Sequence, residues 1–314
     1  IYTLSLHDAL PILLSLALRY CAGGSYLDLA YMHGRHKSTF YDCLWSVLGE
    51  VDKKVKLRFK IGDERAIADL AEGFSKRGKI GGLMKGCVGA VDGLCIKIQR
   101  PRADKCRNPM TYWKRKGSFA IVVQAVCDAK GRFLYISART AGSTYDATAF
   151  GITGLARALE SNRLSEGYWI AGDDAYPCSE WLLTPWSGRN LPKEKDAFNF
   201  YHSRLRTIIE CAFGMFIMRW GVFWRALRVP LRKASLLVRV CMKIHNFALG
   251  DKILRNYDEL AGVARTGDST VHLQDQCDLE NAIRNRRRDL EQSSLRTLIT
   301  EELDREGLVR PRST

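Results

Sequence analysis

The sequence lacks closely spaced cysteines, although ten cysteines are spread over its 314 residues. Because no CxxC pair or other ligand spacing occurs, neither a zinc site nor a disulfide framework is indicated. We therefore expect reduced thiols in an intracellular protein. Long hydrophobic runs are lacking too: the apolar run from Pro11 to Leu18 is too short to span a bilayer. No basic segment precedes this run, as one would in a signal peptide.

Acidic residues are scarce relative to basic ones. The 34 Asp and Glu residues stand against 49 Lys and Arg residues, which gives a net charge of +15. This excess favours a polyanionic partner, most often nucleic acid, although association with ribosomes or with an anionic membrane surface fits the charge equally well. The chain contains 46% apolar and 10% aromatic residues, so it is not a disordered protein. It can bury a full core in one larger domain plus a small one.

The first sixty residues divide into an excluded segment and a helical region. Residues 1–12, IYTLSLHDALPI, resemble the translation of a sequencing-adapter read, so we expect them to lie outside the fold and the true N-terminus to be missing. Residues 13–60 are predicted to form helices ending at Gly23-Gly24 and Gly34, followed by a third helix. This pattern outlines a helix-turn-helix, although an ordinary helical bundle explains it as well. A helix-turn-helix would place these residues near DNA: His36, Lys37 and Ser38.

One aspartate lies in an otherwise apolar stretch. From Cys87 on, the sequence CVGAVDGLCIKI is typical of a buried strand with Asp92 on an apolar face. Such a carboxylate is costly unless it is paired or binds a cation. The alternative is a tight turn at Asp92-Gly93, because Asp-Gly is a strong hairpin signal. We favour a continuous strand and a metal-binding Asp92, since the apolar pattern continues beyond Gly93.

The segment after this strand is strongly basic. Between Lys97 and Lys116 only Asp104 is acidic, and Tyr112 and Trp113 lie among the basic residues. Such a mixture suits a loop along a nucleic-acid backbone, with charges on phosphates and rings available for stacking. A solvated basic loop is the simpler alternative. The predicted DNA-binding residues here are Arg100, Arg102, Lys105, Arg107, Lys114, Arg115 and Lys116.

The remaining pattern alternates between strands and helices. The sequence predicts an amphipathic helix within residues 61–82, two antiparallel strands at 119–128 and 132–140, and a short strand at 168–171. A single helix is predicted from Asp146 to Glu160. Asp146 is either a helix N-terminal carboxylate favoured by the helix dipole or a supporting acid in a site. Asp173 and Asp174 follow the short strand, where ligands collect in α/β sheets, although they could simply form a turn.

A long helix is predicted from Asn199 to Gly221. His202, Ser203, Arg206 and Glu210 lie along one of its faces. Taken alone, Arg206 and Glu210 are best explained as a surface ion pair, because they are four residues apart.

That explanation weakens when Glu210 is considered together with Asp92 and Asp173. Three carboxylates from three separate elements can hold two divalent cations for phosphodiester chemistry, and no nucleophilic side chain is then required. The order of strands and helices predicts an RNase H-like α/β catalytic domain with a mixed sheet over residues 61–250. The charged residues 251–314 are predicted to form a helical C-terminal tail that packs outside the core or mediates assembly.

The sequence resembles PIF/Harbinger-type DDE transposases and transposase-derived nucleases. The similarity covers most of the chain between residues 19 and 311, and the order of the motifs makes chance agreement very improbable. The matching stretches are RYCAGGSYLDLAYMHGRHKSTFY, VGAVDGLCIKI, YWKRKGSFAIVVQAVCDAKGRFLYI, AGSTYDATAF, AGDDAYPCSEWLLTPW, FNFYHSRLRTIIECAFGMFIMRWGVF, KIHNFAL and REGLVRP.

The resemblance implies roles for individual residues. It implies that the catalytic acids and metal ligands are Asp92, Asp173 and Glu210, although the choice between Asp173 and Asp174 stays open to a register error of one residue. It further implies supporting positions at Asp146, Asp174, His202 and Arg206. A later pair that matches the family, His245-Asn246, is expected to be structural.

The same resemblance implies Mg²⁺ or Mn²⁺ as cofactor, with two ions per site, and cleavage and strand transfer at transposon terminal repeats in double-stranded DNA. It also implies nuclear localisation and a Myb-like DNA-binding partner protein. A homodimer is a further prediction. Two hypotheses follow. The first is an active DDE endonuclease, which the intact set of three acids favours, since buried like charges are costly without metal. The second is a domesticated, catalytically silent DNA-binding or regulatory protein; a nuclease acting on RNA is the least favoured alternative.

Overall fold

The computed structural model describes residues 6–78, 84–114, 117–161, 163–249 and 293–311. The helices are α1 (Leu6–Cys21), α2 (Tyr26–Met32), α3 (Lys37–Lys54), α4 (Glu64–Gly78), α5 (Asp146–Gly151), α6 (Gly154–Glu160), α7 (Lys193–Arg219), α8 (Leu231–Ala248) and α9 (Ser294–Arg305). The strands are β1 (Cys87–Lys97), β2 (Trp113–Lys114), β3 (Ser118–Cys127), β4 (Phe133–Ala141), β5 (Trp169–Ala171) and β6 (Leu182–Leu183). Short 3₁₀ helices span Pro109–Tyr112 and Gly221–Trp224.

A mixed sheet forms the centre of the fold, which confirms the predicted α/β class. Strand β1 pairs antiparallel with β3 on one side and parallel with β5 on the other. Outside these neighbours, β3 pairs antiparallel with β4 and with the short β2, and β5 pairs parallel with β6. β1 runs through Asp92 and Gly93 without a turn, with Asp92 opposite Ala125. The predicted continuous strand is therefore confirmed, and the hairpin at Asp92-Gly93 is excluded.

Both faces of the sheet are covered, which explains the nearly continuous apolar run in β1. On one face, Ala90 and Leu94 belong to the core that α7 and α8 also enter. On the other face, Val88 and Val91 pack in a second cluster with residues of α4, α5 and α6, such as Ile67. A strand buried on both sides can hold a carboxylate only at its end or beside other polar groups.

Helix α7 is the longest element and starts six residues earlier than expected, at Lys193 rather than Asn199. Its first turn carries Glu194 and Asp196, whose charges are favourable at a helix N-terminus. The buried face includes Phe198, Leu205, Ile208, Ile209, Ala212 and Phe216. This apolar stripe fixes the rotation of α7 on the sheet, and hence the side on which Glu210 lies.

Two further predictions of helix boundaries were wrong. The single helix expected from Asp146 to Glu160 is two helices, α5 and α6, because Thr153 caps the second one: its Oγ1 accepts a hydrogen bond from Ala156 N at 3.1 Å. Helix α1 begins at Leu6 and not near Leu13. Residues 6–12, which were expected to lie outside the fold, are therefore helical where the structure describes them, with Pro11 inside the helix.

The N-terminal helices are attached to the larger domain through α8. Asp52 at the end of α3 binds Arg239 of α8, with Oδ2 and Nη2 2.8 Å apart, and also pairs with Lys243. Gly34 lies between α2 and α3 with a φ of 59°, in the left-handed region that glycine adopts readily. The sequence outline of helix, glycine turn and helix is thus present; its role in DNA binding stays a prediction.

The described part of the C-terminal tail packs against α7. In α9, Arg296 lies over the Trp186 ring at 3.8 Å, and Trp186 Nε1 donates to Thr300 Oγ1 at 3.0 Å. Most of the predicted tail, residues 250–292, lies outside the described residues. The described part does not pack outside the core as expected, because Ile299 and Leu303 of α9 are buried in the main core. The alternative role in assembly stays a prediction.

The nine cysteines in the described ranges are all free, and Cys277 lies outside them. Among the described helices, none is long and apolar enough to cross a membrane.

Candidate functional site

The parallel pairing of β1 and β5 brings Asp92 and Asp173 together. Ala90 lies opposite Ala171 in this pair, and each aspartate follows two residues after its paired alanine. Burial raises the pKa of Asp92 well above its usual range, and the negative charge of Asp173 raises it further. Two carboxylates in this position repel each other until a cation or a proton neutralises them.

Asp173 is held at the end of β5 by the local backbone. Its Oδ1 accepts a hydrogen bond from Ala175 N at 3.0 Å. Burial raises the pKa of Asp173 to about 6, while the charge of Arg206 opposes the rise. Asp174 is exposed, whereas Asp173 is partly buried. The geometry therefore favours Asp173 over Asp174 as the residue that faces Asp92.

Glu210 reaches the same region from α7, through Arg206. The two side chains form an ion pair with Nη1 and Oε1 2.6 Å apart, so the local pair expected from their spacing is present. Burial would lower the pKa of Arg206, but the charges of Glu210, Asp92 and Asp173 raise it. Arg206 therefore lies within electrostatic reach of all three predicted catalytic acids and acts as their counter-cation.

Asp146 lies in the first turn of α5 and is held next to β1. Gln124 Nε2 donates to Asp146 Oδ1 at 2.8 Å, and Tyr176 OH donates to Gln124 Oε1 at 2.6 Å. Burial raises the pKa of Asp146, and the negative charge of Asp146 in turn raises the pKa of Asp92. Asp146 is therefore both a carboxylate at the N-terminus of a helix and a neighbour of the predicted catalytic acids.

Gln124 and Tyr176 are two partners that sequence reasoning missed. Gln124 lies in the middle of β3 and is only 1% exposed. A buried amide in an apolar strand is the same kind of signal that singled out Asp92, because a buried polar group requires a partner. Applied to β3, that argument would have found Gln124, but it could not have identified Asp146 and Tyr176 as its partners.

The donor set has the chemistry that a hard divalent cation requires, since it consists of carboxylate oxygens. Asp92 and Asp173 form a repelling pair, and Glu210 is bound to Arg206 beside them. Within the described ranges, no three His, Cys, Asp or Glu side chains are arranged so that they could hold a metal ion together.

Gly93→Ala is expected to disturb the site without disturbing the core. A Cβ at this position would overlap Asp146 Oδ1 and lie 2.9 Å from Gln124 Nε2. Asp146 must therefore move away, and we expect the DNA cleavage that the family resemblance implies to fall by roughly 10–100-fold, the usual effect of losing a supporting group at a metal site. Cleavage rates and denaturation curves of Gly93→Ala and Gly49→Ala would be compared. At Gly49, in α3, a Cβ meets no neighbour, and equal cleavage by both variants would contradict the expectation.

His202, expected near the acids, is instead buried in the core below α7. Its Nε2 lies 2.9 Å from Leu183 O in β6, and its ring stacks on Trp169 and Phe198. It can anchor the helix that carries Glu210, but it is 0% exposed and does not reach a phosphate. His245 is likewise buried, and Asn246 bonds to both backbone groups of Phe133, at 2.8 Å each. The contacts of Asn246 tie α8 to β4.

Acid is expected to destabilise the protein through His202. Burial lowers the pKa of His202 to about 4, whereas an unfolded histidine titrates at 6.5. Because the unfolded chain takes up the proton first, the free energy of unfolding falls as the pH drops from 6.5 to 4, by about 3 kcal/mol from this residue. Denaturant unfolding at pH 7 and pH 5 would compare the parent with His202→Gln, whose amide can still donate to Leu183 O. The same loss in both proteins would contradict the assignment.

The predicted DNA-binding residues occupy three different settings. His36, Lys37 and Ser38 are exposed at the start of α3, where His36 Nδ1 accepts from Ser38 N at 3.4 Å. Lys114 is partly buried and contributes charge near Asp146. The exposed loop residues are Arg100, Arg102, Lys105 and Arg107, of which Arg102 pairs with Asp104 at 3.1 Å. Arg115 and Lys116 lie outside the described residues. Contact with DNA stays a prediction for all of them.

Comparisons with known proteins give the chain its relatives. Residues 91–246 match the family model described as "DDE superfamily endonuclease". The chain is similar to "Putative nuclease HARBI1" of Rattus norvegicus, at 28% identity over 60% of this chain and 52% of that protein. It is also similar to "Protein ALP1-like" of Arabidopsis thaliana, at 27% identity over 78% of this chain and 61% of that protein.

The matched region contains Asp92, Asp173 and Glu210. The chain spans about half to three fifths of the length of these curated relatives. No solved structure matches the chain.

Proposed function

Since this chain carries a DDE superfamily endonuclease domain and is related to Harbinger-derived nucleases, we propose that it is a metal-dependent enzyme that cuts and joins DNA phosphodiester bonds at transposon ends. The observation that carries the proposal is the juxtaposition of Asp92, in the middle of β1, and Asp173, just after the end of the paired parallel strand β5, with Glu210 linked to them through Arg206. Buried carboxylates with raised pKa values are a mark of functional sites.

The strand order supports the RNase H-like part of the proposal. Three antiparallel strands, β4, β3 and β1, continue through the parallel strands β5 and β6. The first acid lies on the central strand, the second follows the adjacent parallel strand, and the third lies on the long helix packed on the sheet. This is the arrangement expected from the order of elements in the sequence.

Each residue then has a role in the proposed reaction. Asp92 supplies oxygen ligands from the middle of β1, Asp173 supplies them from the end of β5, and Glu210 supplies a third ligand from α7. Two Mg²⁺ or Mn²⁺ ions, when bound, would activate the attacking water or 3′-hydroxyl and stabilise the leaving oxygen. Arg206 neutralises part of the negative charge of the acids before the metal ions bind. Asp146, which is held by Gln124, orients the polar groups around Asp92.

The proposed substrate is double-stranded DNA at transposon terminal repeats, and the proposed location is the nucleus. The net charge of +15 supports a polyanionic substrate. The exposed basic loop that contains Arg100 and Arg107, and the start of α3, are the proposed DNA-contacting surfaces. A Myb-like DNA-binding partner and a homodimer complete the proposal.

Nicking of a supercoiled plasmid tests the proposed activity. We expect nicked and linear DNA with Mg²⁺ or Mn²⁺ and none with EDTA, in the presence of a Myb-like partner if the chain needs one. Salt-dependent DNA binding measured in parallel provides the control for folding. Binding without any metal-dependent cleavage would contradict the endonuclease and favour a domesticated, catalytically silent DNA-binding protein.

A further inference from the structure

A groove runs along the outer face of α7 and ends at Glu210. Its volume is about 510 Å³. The residues that line it and matter here are Phe200, Ser203, Arg204, Thr207, Glu210 and Arg310. The α7 residues recur on one face of the helix, so the groove follows the helix axis for about three turns. We call this surface the α7 groove.

Arg310 reaches the α7 groove from the C-terminal segment. After α9 the chain turns at Gly307, whose φ of 66° lies in the left-handed region. Leu308 N then donates to Leu303 O at 3.0 Å. The returning chain is held to α7 by Tyr201 OH, which donates to Val309 O at 3.4 Å, and by Arg310, whose Nη1 is 3.3 Å from Asp196 Oδ1. The groove is therefore built by two segments about 100 residues apart.

Two guanidinium groups flank one aromatic ring in this groove. The guanidinium carbons of Arg204 and Arg310 lie 5.8 and 5.9 Å from the centre of the Phe200 ring. The ion pair of Arg310 is solvent-exposed, with 61% of the arginine side chain accessible, so it is weak and easily exchanged. Ser203 adds a hydroxyl group on the same face, whereas the Thr207 hydroxyl donates to Ser203 O at 2.8 Å. Paired cations, hydroxyl groups and an aromatic ring are what single-stranded nucleic acids bind.

The position of Glu210 favours a nucleic acid over an acidic peptide. A peptide would bind the arginines equally well, but it would have no reason to extend towards the acids. A DNA strand must pass the acids if they cut it, and the α7 groove leads from Arg310 and Arg204 to Glu210. Base stacking on Phe200 requires an unpaired base, because paired bases in a duplex present only their edges.

We propose that the α7 groove binds unpaired nucleotides of the DNA strand next to the bond that is cut. Arg204 and Arg310 bind phosphates of this strand, and Phe200 stacks on a base. This inference rests on the proposed function, since it assigns the groove to the substrate of the same site. It makes the C-terminal segment a part of the substrate-binding surface.

Binding of a single-stranded oligonucleotide to the full chain in EDTA, without cleavage, tests the groove. We expect Arg204→Ala/Arg310→Ala to weaken binding at least tenfold and to lower the slope of log affinity against log salt by about 1.4, for two lost phosphate contacts. The matched control is Arg65→Ala/Arg157→Ala. It removes the same charge from exposed positions on α4 and α6, helices that contribute to the core on the opposite face of the sheet.

The proposed stacking of a base on Phe200 is tested by two substitutions, one that keeps an aromatic ring and one that keeps only an apolar side chain. Phe200→Tyr keeps a ring that can stack, and we expect nearly parental affinity. Phe200→Leu keeps an apolar side chain without a ring, and we expect a loss of roughly 5–150-fold, the range measured for stacking on one base. Photo-crosslinking with 5-iodouracil in the oligonucleotide should modify the segment around Phe200.

The outcomes separate the groove from the endonuclease. Equal binding by Arg204→Ala/Arg310→Ala and its control variant would overturn the proposed role of the α7 groove, even if plasmid nicking occurs. The same holds if the parent protein does not bind the oligonucleotide. If oligonucleotide binding depends on the α7 groove but the protein never cleaves DNA, the proposed role of the groove is supported and the proposed endonuclease activity is refuted.

Discussion

Asp92→Asn is expected to reduce metal-dependent plasmid nicking by roughly 10³-fold or more, because a lost metal ligand removes several kcal/mol of transition-state stabilisation. DNA affinity should stay within a few-fold of the parent, since Asp92 is partly buried between strands and Arg206. The same substitution should stabilise the metal-free protein, because it removes the repulsion by Asp173 that raises the pKa of Asp92.

This combination of effects distinguishes a metal site from a structural one. A carboxylate that only supports the fold would lose stability on substitution, and cleavage would fall in proportion to the folded fraction. Asp69→Asn, an exposed aspartate on α4, is the matched control and should change neither property. Nicking by Asp92→Asn within tenfold of the parent would contradict the role of Asp92.

Arg206→Met is expected to lower the free energy of unfolding of the metal-free protein by about 3–5 kcal/mol, the usual effect of removing one partner from a buried charged cluster. Arg206 is the counter-cation of three acids, and its side chain is only 13% exposed. Saturating Mn²⁺ should restore part of the loss, because it supplies the missing positive charge. Urea unfolding with and without Mn²⁺ measures both effects.

The control for Arg206→Met is Arg204→Met, two residues away on the exposed face of the same helix. Its effect should stay within about 0.5 kcal/mol, as for other surface substitutions. In the double variant Arg206→Met/Asp92→Asn the loss should be smaller than in Arg206→Met alone, because one of the repelling acids is gone. A loss below about 1 kcal/mol for Arg206→Met would contradict the counter-cation role.

Several elements of the domain were predictable because their signals are local. Helix α4 contains ERAIADLAEGFSKRG, the amphipathic segment predicted within residues 61–82, and β3, β4 and β5 start and end within one residue of expectation. Asp92 stood out because a carboxylate on an apolar strand is costly. That reasoning needed no knowledge of what surrounds the strand.

The features that could not be predicted depend on contacts between distant segments. The start of α6 depends on the Thr153 cap, which competes with continuation of α5. The Arg206–Glu210 pair follows from helical spacing, but the proximity of Arg206 to Asp92 and Asp173 arises only when α7 packs on the sheet. His202 has the same spacing as the polar residues around it, yet the rotation of α7 buries it beneath β6. The position of Arg310 in the α7 groove depends on the turn at Gly307.

The measurement that tests the proposed metal site most directly is cleavage of the polypeptide itself by bound Fe²⁺, which substitutes for Mg²⁺ and generates hydroxyl radicals with ascorbate and peroxide. The fragments should end near residues 92, 173 and 210, excess Mg²⁺ should suppress them, and Asp92→Asn/Asp173→Asn should abolish them. Fragments that end elsewhere, or the same fragments from the double variant, would show that these acids do not hold the metal.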